Sequence, residues 1–201
     1  VADGMSKGVQ FLMKKNKIDV INGFGKIKTG KKVDVTADDN SVTEYSADHI
    51  IIATGARSRE LPNLPQDGKK VIGYREAMSL PTQPKSMIVV GSGAIGVEFA
   101  HFYNSMGTDV TIVEFLPNLV PLEDKDVSKQ FERSIKKAGI KVMTNSSVES
   151  VDTSGDGVKA TVKTKKGEEI LEADIVLSAV GIKTNIENIG LEDVGIVTDR
   201  D

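Results

Sequence analysis

The stretch "MIVVGSGAIGVEFA", residues 87–100, constrains the fold of this chain more than any other feature. An apolar run ends in three closely spaced glycines, and residues with helical periodicity follow. Downstream, "TDVTIVE" and "IKVMT" have the pattern of buried strands, and "EDKDVSKQFERSIKKAG" between them has the pattern of a helix. Strands that alternate with helices predict an α/β fold with a Rossmann-like parallel sheet and right-handed crossovers.

The two predicted helices have apolar stripes and recognisable ends. The first covers 94–106, and Gly107 ends it in the C′ position. The second begins with an acidic run, which suits the positive end of a helix dipole, and Gly139 stops it. The predicted stripes are Ile95, Phe99 and Met106 in the first helix and Val127, Phe131, Ile135 and Ala138 in the second.

The front of the chain looks like a second copy of this unit without its opening. Residues 7–17 have the pattern of the end of an amphipathic helix, and the following residues predict three short antiparallel strands. "ADHIIIATG" at 47–55, with a predicted buried strand at 49–53, then aligns without a gap with "ADIVLSAVG" at 173–181, which closes a second meander. Two similar buried strands or a duplicated unit would both explain this match. A duplication would place the missing glycine-rich opening before Val1.

These patterns predict two domains. Residues 1–85 form the rear part of one nucleotide-binding domain, and its residues 56–85, with four prolines, are a connector. Residues 86–201 form a complete domain with a β-meander inserted in the parallel-sheet fold. The expected fold class is therefore this Rossmann-like sheet with its meander, preceded by a partial second copy.

The three glycines at 91, 93 and 96 match the pattern G-x-G-x-x-G between a strand and a helix. Gly91 would make the tight turn, Gly93 would let a pyrophosphate approach the backbone, and Gly96 would let the helix pack closely on the sheet. The first helical amides are unpaired, and the helix dipole favours a negative ligand. A glycine-rich turn without chemical function is the alternative.

Glu114 ends the next strand, 23 positions after Gly91. A carboxylate at this place can accept hydrogen bonds from an adenosine ribose, and it would repel a 2′-phosphate. The next residues, "FLPN", offer no arginine to neutralise it. The pattern favours NAD over NADP, unless Glu114 is only a solvent-exposed side chain.

Other polar residues carry weaker signals. Glu98, in the first turns of the helix, would face a nicotinamide or a partner cofactor, or would only complement the helix dipole. His49 and His101 have no serine, acid or metal-ligand pattern around them, so we expect packed or surface histidines. The acids Glu123, Asp124 and Asp126 are interpreted as a helix start. The sequence predicts no catalytic or metal-binding residue.

Composition excludes several classes of function. The net charge of −3 predicts no nucleic-acid or membrane partner, and the apolar runs are too short for a membrane helix. No signal-peptide pattern is present, so a cytoplasmic location is expected. The absence of cysteine excludes disulfides, thiolate metal sites and thiol redox chemistry within this chain.

The motifs together resemble the dihydrolipoamide dehydrogenase family of flavoprotein pyridine nucleotide-disulfide oxidoreductases. The resemblance runs along the chain, from "IIIATGARSRELP" through "IVVGSGAIGVEFAHFYNSMGTDVTIVEFLPNLVPLEDKDVS" to "SAVG". It implies FAD and NAD as cofactors, a homodimer, and binding to the lipoyl acyltransferase core of a 2-oxo acid dehydrogenase complex. Electrons would pass from dihydrolipoamide to a redox disulfide, through FAD, to NAD.

The resemblance also implies roles for individual residues. Glu114 matches the ribose acid, Val148 a backbone contact to adenine, and Gly181 a position near the nicotinamide. The segment matching the NAD diphosphate site consists of Gly91, Ser92, Gly93, Ala94, Ile95, Gly96, Val97 and Glu98. The positions matching FAD contacts are Gly25, Thr54, Gly55 and Ala56.

The chain departs from the family in ways that bear on activity. The paired cysteines, the upstream glycine-rich FAD loop and the C-terminal domain with its histidine–glutamate pair have no counterpart in this sequence. We therefore expect a fragment with the NAD-binding domain and the rear of the FAD domain, weak or no FAD binding, and no lipoamide reductase activity. The alternatives are a related NAD-linked flavoprotein reductase of the mercuric or ferredoxin reductase type, and a stand-alone NAD-sensing module.

Overall fold

The computed structural model describes residues 1–199, which divide into two compact units. The first unit contains Val1–Gly55 and the C-terminal segment from Thr184, and the second contains Ala56–Lys183. Residues 56–85, expected to be only a connector, thus belong to the second unit, because they supply an edge strand and part of its core. The bounds of these compact units differ from those of the expected domains, 1–85 and 86–201. The expected domains were defined by cofactor binding, and they stay a prediction.

A parallel sheet of five strands forms the centre of the second unit, in the order β5–β12–β6–β7–β8. Its strands are β5 (Val71–Ile72), β6 (Ser86–Val90), β7 (Asp109–Val113), β8 (Lys141–Met143) and β12 (Ile175–Ser178). From β6 the chain proceeds outward through β7 and β8, whereas β12 and β5 lie on the other side of β6. The strand order therefore reverses between β6 and β12, and ligands of such sheets bind at this switch point.

Both faces of the sheet are covered, which explains the continuous apolar runs of its strands. Met87 and Val89 of β6 pack on the helical side, with residues of α2 (Tyr74–Ala77), α3 (Ala94–Ser105) and α4 (Lys125–Lys137). Ile88 and Val90 point to the opposite side, where a β-meander packs. The strand period of two thus separates two apolar cores.

The predicted meander forms, and it consists of three antiparallel strands. They are β9 (Ser147–Asp152), β10 (Val158–Thr164) and β11 (Gly167–Ala173), with β10 in the middle. Two short strands, β4 (Ala56–Ser58) and β13 (Ile182–Thr184), form a separate two-stranded sheet.

The helix ends agree with the sequence-based prediction. Asp124 is the N-cap of α4, and its carboxylate accepts from the backbone N–H of Asp126 at 2.8 Å. The run of acids is therefore a helix start. Gly107 and Gly139 follow the C-caps of α3 and α4 with φ of 98° and 93°, a conformation that favours glycine.

The predicted stripes of the helices were partly wrong. The buried residues of α3 are Gly96, Val97, Ala100 and Tyr103. Small residues bring this helix close to the sheet. Its buried face is therefore centred one residue later than the predicted stripe of large apolar residues. Met106, the last residue of that stripe, is 57% exposed. In α4, Ile135 is buried and Phe131 packs against the same core, but Val127 and Ala138 are exposed.

The first unit contains the three predicted antiparallel strands and the helix whose end was predicted at residues 7–17, which ends at Lys15. Its elements are α1 (Ala2–Lys15), β1 (Phe24–Lys28), β2 (Lys32–Thr36), β3 (Val42–Ser46) and a 3₁₀ helix (Glu192–Val194). The C-terminal segment packs on β1, where the Ile27 N–H donates to the Ile189 carbonyl at 2.7 Å. Gly190 is required there, since a Cβ would lie 2.2 Å from the Ile27 carbonyl oxygen.

The buried strand predicted at 49–53 does not form. These residues have no strand assignment, and Ile51 is 90% exposed. A buried strand needs hydrogen-bonding neighbours, and the described part of the first unit has no parallel sheet that this segment could join. Helix α1 likewise buries none of its residues. Among residues 1–199, no helix combines the length and the apolar character that crossing a bilayer requires.

Candidate nucleotide-binding cleft

A cleft of about 810 Å³ opens in the second unit at the carboxyl ends of β6, β7 and β12. This is the switch point of the sheet. Most of the predicted NAD residues lie together in its wall: Gly91, Ser92, Gly93, Ala94, Ile95, Glu114, Val148 and Gly181. The sequence pattern therefore identifies one continuous surface.

The three glycines of the motif have different surroundings. A Cβ on Gly91, whose φ is 98°, would lie 2.5 Å from the Ala179 carbonyl oxygen, and a Cβ on Gly96 would lie 2.1 Å from the Gly91 carbonyl oxygen. Packing alone thus requires both. Gly93 has a φ of −68°, and a Cβ there would meet no atom within 4 Å. The protein itself does not require glycine at 93, so its missing side chain leaves space for a ligand.

The N-terminus of α3 borders the same space. Gly93 is the N-cap, and the first intrahelical bond of the helix runs from the Val97 N–H to the Gly93 carbonyl. The N–H groups of Ala94, Ile95 and Gly96 therefore have no acceptor within the helix. Unpaired amides and the positive end of the helix dipole favour a phosphate group at this position.

The carboxylate of Glu114 is buried at the inner wall of the cleft, with 6% of the residue exposed. Its Oε2 accepts from the Ser92 N–H at 2.8 Å and from the Ser92 hydroxyl at 2.6 Å, and its Oε1 accepts from the Leu116 N–H at 2.7 Å. Glu114 is therefore a fixed part of the site and not a solvent-exposed side chain.

Ser92, expected in the NAD diphosphate segment, lies in the wall of the cleft but directs its donor groups to other protein atoms. The residue is fully buried, and both its N–H and its hydroxyl bind Glu114. Its carbonyl accepts from the Val120 N–H at 3.1 Å. Ser92 thus connects the glycine turn, the end of β7 and the loop after β7.

Three further candidates line or support the cleft differently. Val148 is buried, and its carbonyl accepts from the amide of Asn63. Gly181 has a φ of 114°, and its carbonyl accepts from the Arg59 N–H at 3.0 Å. Gly96 and Val97 lie in the helix–sheet contact and not among the lining residues. Glu98 is exposed on α3, also outside the lining.

The sequence did not predict one wall of the cleft, which comes from residues 56–85, the expected connector. Leu61, Asn63 and Leu64 line it, and Leu64 is fully buried. The signal was the pair of prolines in "LPNLP", which fixes the backbone of a loop. The remaining lining residues that were missed are Val90, Val113, Phe115, Leu116, Leu122, Ser146, Ser147, Ala179, Val180 and Ile182.

The FAD candidates do not lie in this cleft. Gly25 is in β1 of the first unit, and the carbonyls of Thr54 and Gly55 accept from the side chain and the N–H of Asn185 in the same unit. Ala56 begins the second unit, where its carbonyl accepts from the Tyr74 hydroxyl at 2.9 Å. The histidines His49 and His101 are exposed. Residues 1–199 hold no group of three histidine, cysteine or acidic side chains suited to a metal ion.

Comparison with known proteins gives a consistent result. The family model described as "Pyridine nucleotide-disulphide oxidoreductase" matches residues 1–201. The chain is 43% identical to a dihydrolipoyl dehydrogenase of Rhizobium etli, over all of this chain and 45% of that protein. It is 44% identical to the dihydrolipoyl dehydrogenase of Chlorobaculum tepidum and 39% identical to a leghemoglobin reductase of Vigna unguiculata, covering 43% and 38% of those proteins.

Solved structures show the same fold. The crystal structure of LpdA from Mycobacterium tuberculosis matches 99% of this chain with a TM-score of 0.87 and 32% identity. The HOCl-induced flavoprotein disulfide reductase RclA from Escherichia coli matches 97% of it with a TM-score of 0.77 and 25% identity. The chain spans 44% and 45% of those two chains, so it is less than half as long as these relatives.

Proposed function

Because the chain belongs to the pyridine nucleotide-disulphide oxidoreductase family, we propose that its second unit binds NAD in the cleft at the carboxyl ends of β6, β7 and β12. One observation supports this proposal most strongly. Packing against protein atoms explains why positions 91 and 96 are glycine. At position 93 the protein has room for a side chain, so a ligand in that space would explain the glycine. A diphosphate in that space would face the first amides of α3.

The remaining lining residues fit the rest of a dinucleotide. Glu114, buried beside the glycine turn, would accept a hydrogen bond from the adenosine ribose and repel a 2′-phosphate, which favours NAD over NADP. Val148 would contact the adenine, and Gly181 would lie near the nicotinamide. Glu98 is exposed beyond the first turn of α3 and does not line the cleft. It would contact only a nicotinamide that extends beyond the cleft.

The longer protein of this type would act on dihydrolipoamide. Dihydrolipoamide would be oxidised as a protein disulfide is reduced to a dithiol, and the two electrons would then pass through FAD to NAD, giving NADH and a proton. Relatives that are 43% and 44% identical to this chain are named dihydrolipoyl dehydrogenase, which supports this substrate. The whole protein would form a homodimer and bind a lipoyl acyltransferase core.

For the 201-residue chain itself we propose NAD binding without lipoamide reduction. The chain has no cysteine to form the redox disulfide. Its sequence has one G-x-G-x-x-G motif, in the second unit, so the first unit has no matching loop for the diphosphate of FAD. The visible absorbance of the purified chain and a lipoamide assay test these statements. A yellow, active preparation would contradict them.

Calorimetric titration with NAD and NADP tests the proposed site directly. Wild type should bind NAD more tightly than NADP, and Glu114→Arg should reverse this preference by weakening NAD binding about tenfold or more, because a hydrogen bond to a charged group is lost. Glu114→Gln, which keeps the size of the side chain, should lose most of the preference. Glu169→Arg, an equal charge change at an exposed position of β11, is the control. An unchanged preference in both Glu114 variants would refute the site.

A further inference from the structure

We propose that Ser92 is a positioning residue that sets the preference for NAD by holding the carboxylate of Glu114 in one orientation. This inference rests on the proposed function and concerns the same cleft. Ser92 makes no direct contact with the ligand in this proposal, since its N–H and its hydroxyl both donate to Glu114.

The hydrogen bonds of Glu114 define how its carboxylate is held. Two donors from Ser92 bind Oε2, at 2.8 and 2.6 Å, and the Leu116 N–H binds Oε1 at 2.7 Å. The terminal torsion of a glutamate is otherwise broad, so without such donors the carboxylate would rotate. Anchoring each oxygen from a different segment of backbone fixes the plane of the group.

The count of acceptor positions follows from the same contacts. A carboxylate offers about four lone-pair positions, two on each oxygen. Ser92 occupies both positions of Oε2, and Leu116 occupies one of Oε1. One position remains, on Oε1. The site therefore presents one directed acceptor for a ribose hydroxyl and not a freely rotating anion.

A fixed carboxylate also has a stronger effect on the wrong cofactor. A side chain that could swing away would relieve its repulsion of a 2′-phosphate, whereas one held at both oxygens cannot. The surroundings support this rigidity, because Ser92 is fully buried and its carbonyl accepts from the Val120 N–H in the loop after β7. We therefore expect Ser92 to affect the ratio of NAD to NADP affinity.

The substitution Ser92→Ala removes only the hydroxyl and leaves both backbone bonds in place. We expect the Kd of the full chain for NAD to rise about five- to tenfold, because the released carboxylate would be in its binding orientation only about 10–20% of the time, while the Kd for NADP stays equal or falls. The preference for NAD therefore falls at least about fivefold. A purely structural role would weaken both cofactors alike and leave the ratio unchanged, which would overturn the proposal.

Matched variants separate hydrogen bonding from packing. Ser92→Cys keeps nearly the same volume but donates weakly, so it should lose the preference as Ala does, and a full preference in this variant would also overturn the proposal. Ser178→Ala is the control. Ser178 is buried at the end of β12, its hydroxyl has no partner within residues 1–199, and it lies outside the cleft lining, so its loss should leave both affinities unchanged.

A double-mutant cycle distinguishes failure of this inference from failure of the proposed function. In a Glu114→Gln background, Ser92→Ala should no longer change the NAD/NADP ratio, because the group it positions is gone. An equal effect of Ser92→Ala in both backgrounds would contradict the inference while the NAD site stands. Wild type that binds neither dinucleotide would refute the proposed function and this inference with it.

Discussion

Two segments with nearly the same sequence pattern have opposite structures in this molecule. "ADIVLSAVG" at 173–181 contains β12, which lies between β5 and β6 in the parallel sheet. "ADHIIIATG" at 47–55 contains no strand and is largely exposed. In the gapless alignment Ile51 matches Leu177, and these residues are 90% and 0% exposed. The comparison shows that an apolar run becomes a buried strand only where neighbouring strands are present.

The same contrast holds for the helices of the two units. In the second unit, α3 packs Gly96, Val97 and Ala100 against the sheet. In the first unit, α1 buries no residue, although Val9, Leu12 and Met13 share one of its faces. Both units contain a helix, but only the second unit supplies the surface on which the apolar face of its helix contributes to stability.

The largest expected effect comes from truncating the two matched positions of the aligned segments. Leu177→Ala should lower the free energy of unfolding of the second unit by about 2–5 kcal/mol, because it removes a fully buried side chain. Ile51→Ala should change stability by less than about 0.5 kcal/mol. Urea unfolding followed by circular dichroism measures both, and similar losses in the two variants would show that residues 49–53 form a packed strand in solution.

A smaller effect is expected from adding a methyl group to one helix of each unit. The change in stability should have opposite signs in the two helices. Gly96→Ala should destabilise the chain by about 1–3 kcal/mol, because its Cβ would lie 2.1 Å from the Gly91 carbonyl oxygen. Gly8→Ala in α1 meets no atom within 4 Å and should stabilise that helix by about 0.5–1 kcal/mol through helix propensity. Thermal unfolding measures the Tm of both variants. Shifts of the same sign would contradict the difference between the two helices.

The sequence predicted those parts of the fold that depend on local pattern. The order β6–α3–β7–α4–β8, the helix ends at Gly107 and Gly139 and both meanders agree with expectation. The predictions were wrong where the structure of a segment depends on the elements that pack against it. Residues 49–53 lack neighbouring strands, β5 has only two residues and joins the sheet from a proline-rich segment, and the buried face of α3 follows its small residues.

The candidate site also has residues that the sequence predicted and contacts that it did not. Spacing was sufficient to place the glycine turn and Glu114 on one cleft, because the carboxyl ends of adjacent parallel strands meet at one edge. Val148 and Gly181, which line the same cleft, came from the family resemblance and not from spacing. The pairing of Ser92 with Glu114, 22 residues apart, was not predictable, since it depends on side-chain directions across two strand ends. The same holds for Asn63, whose partner Val148 is 85 residues away.

The most direct test of the central claim is the NAD affinity of Gly93→Val, measured by calorimetry beside Gly155→Val. Gly93 is an extended N-cap residue with open space around it, so the variant should remain folded, with a stability loss of about 1 kcal/mol at most. Gly155, in the loop between β9 and β10, is equally open but lies outside the cleft lining. We predict that Gly93→Val no longer binds NAD detectably while Gly155→Val binds as wild type does. A folded Gly93→Val protein with an unchanged Kd would contradict the claim that this cleft holds the diphosphate of NAD.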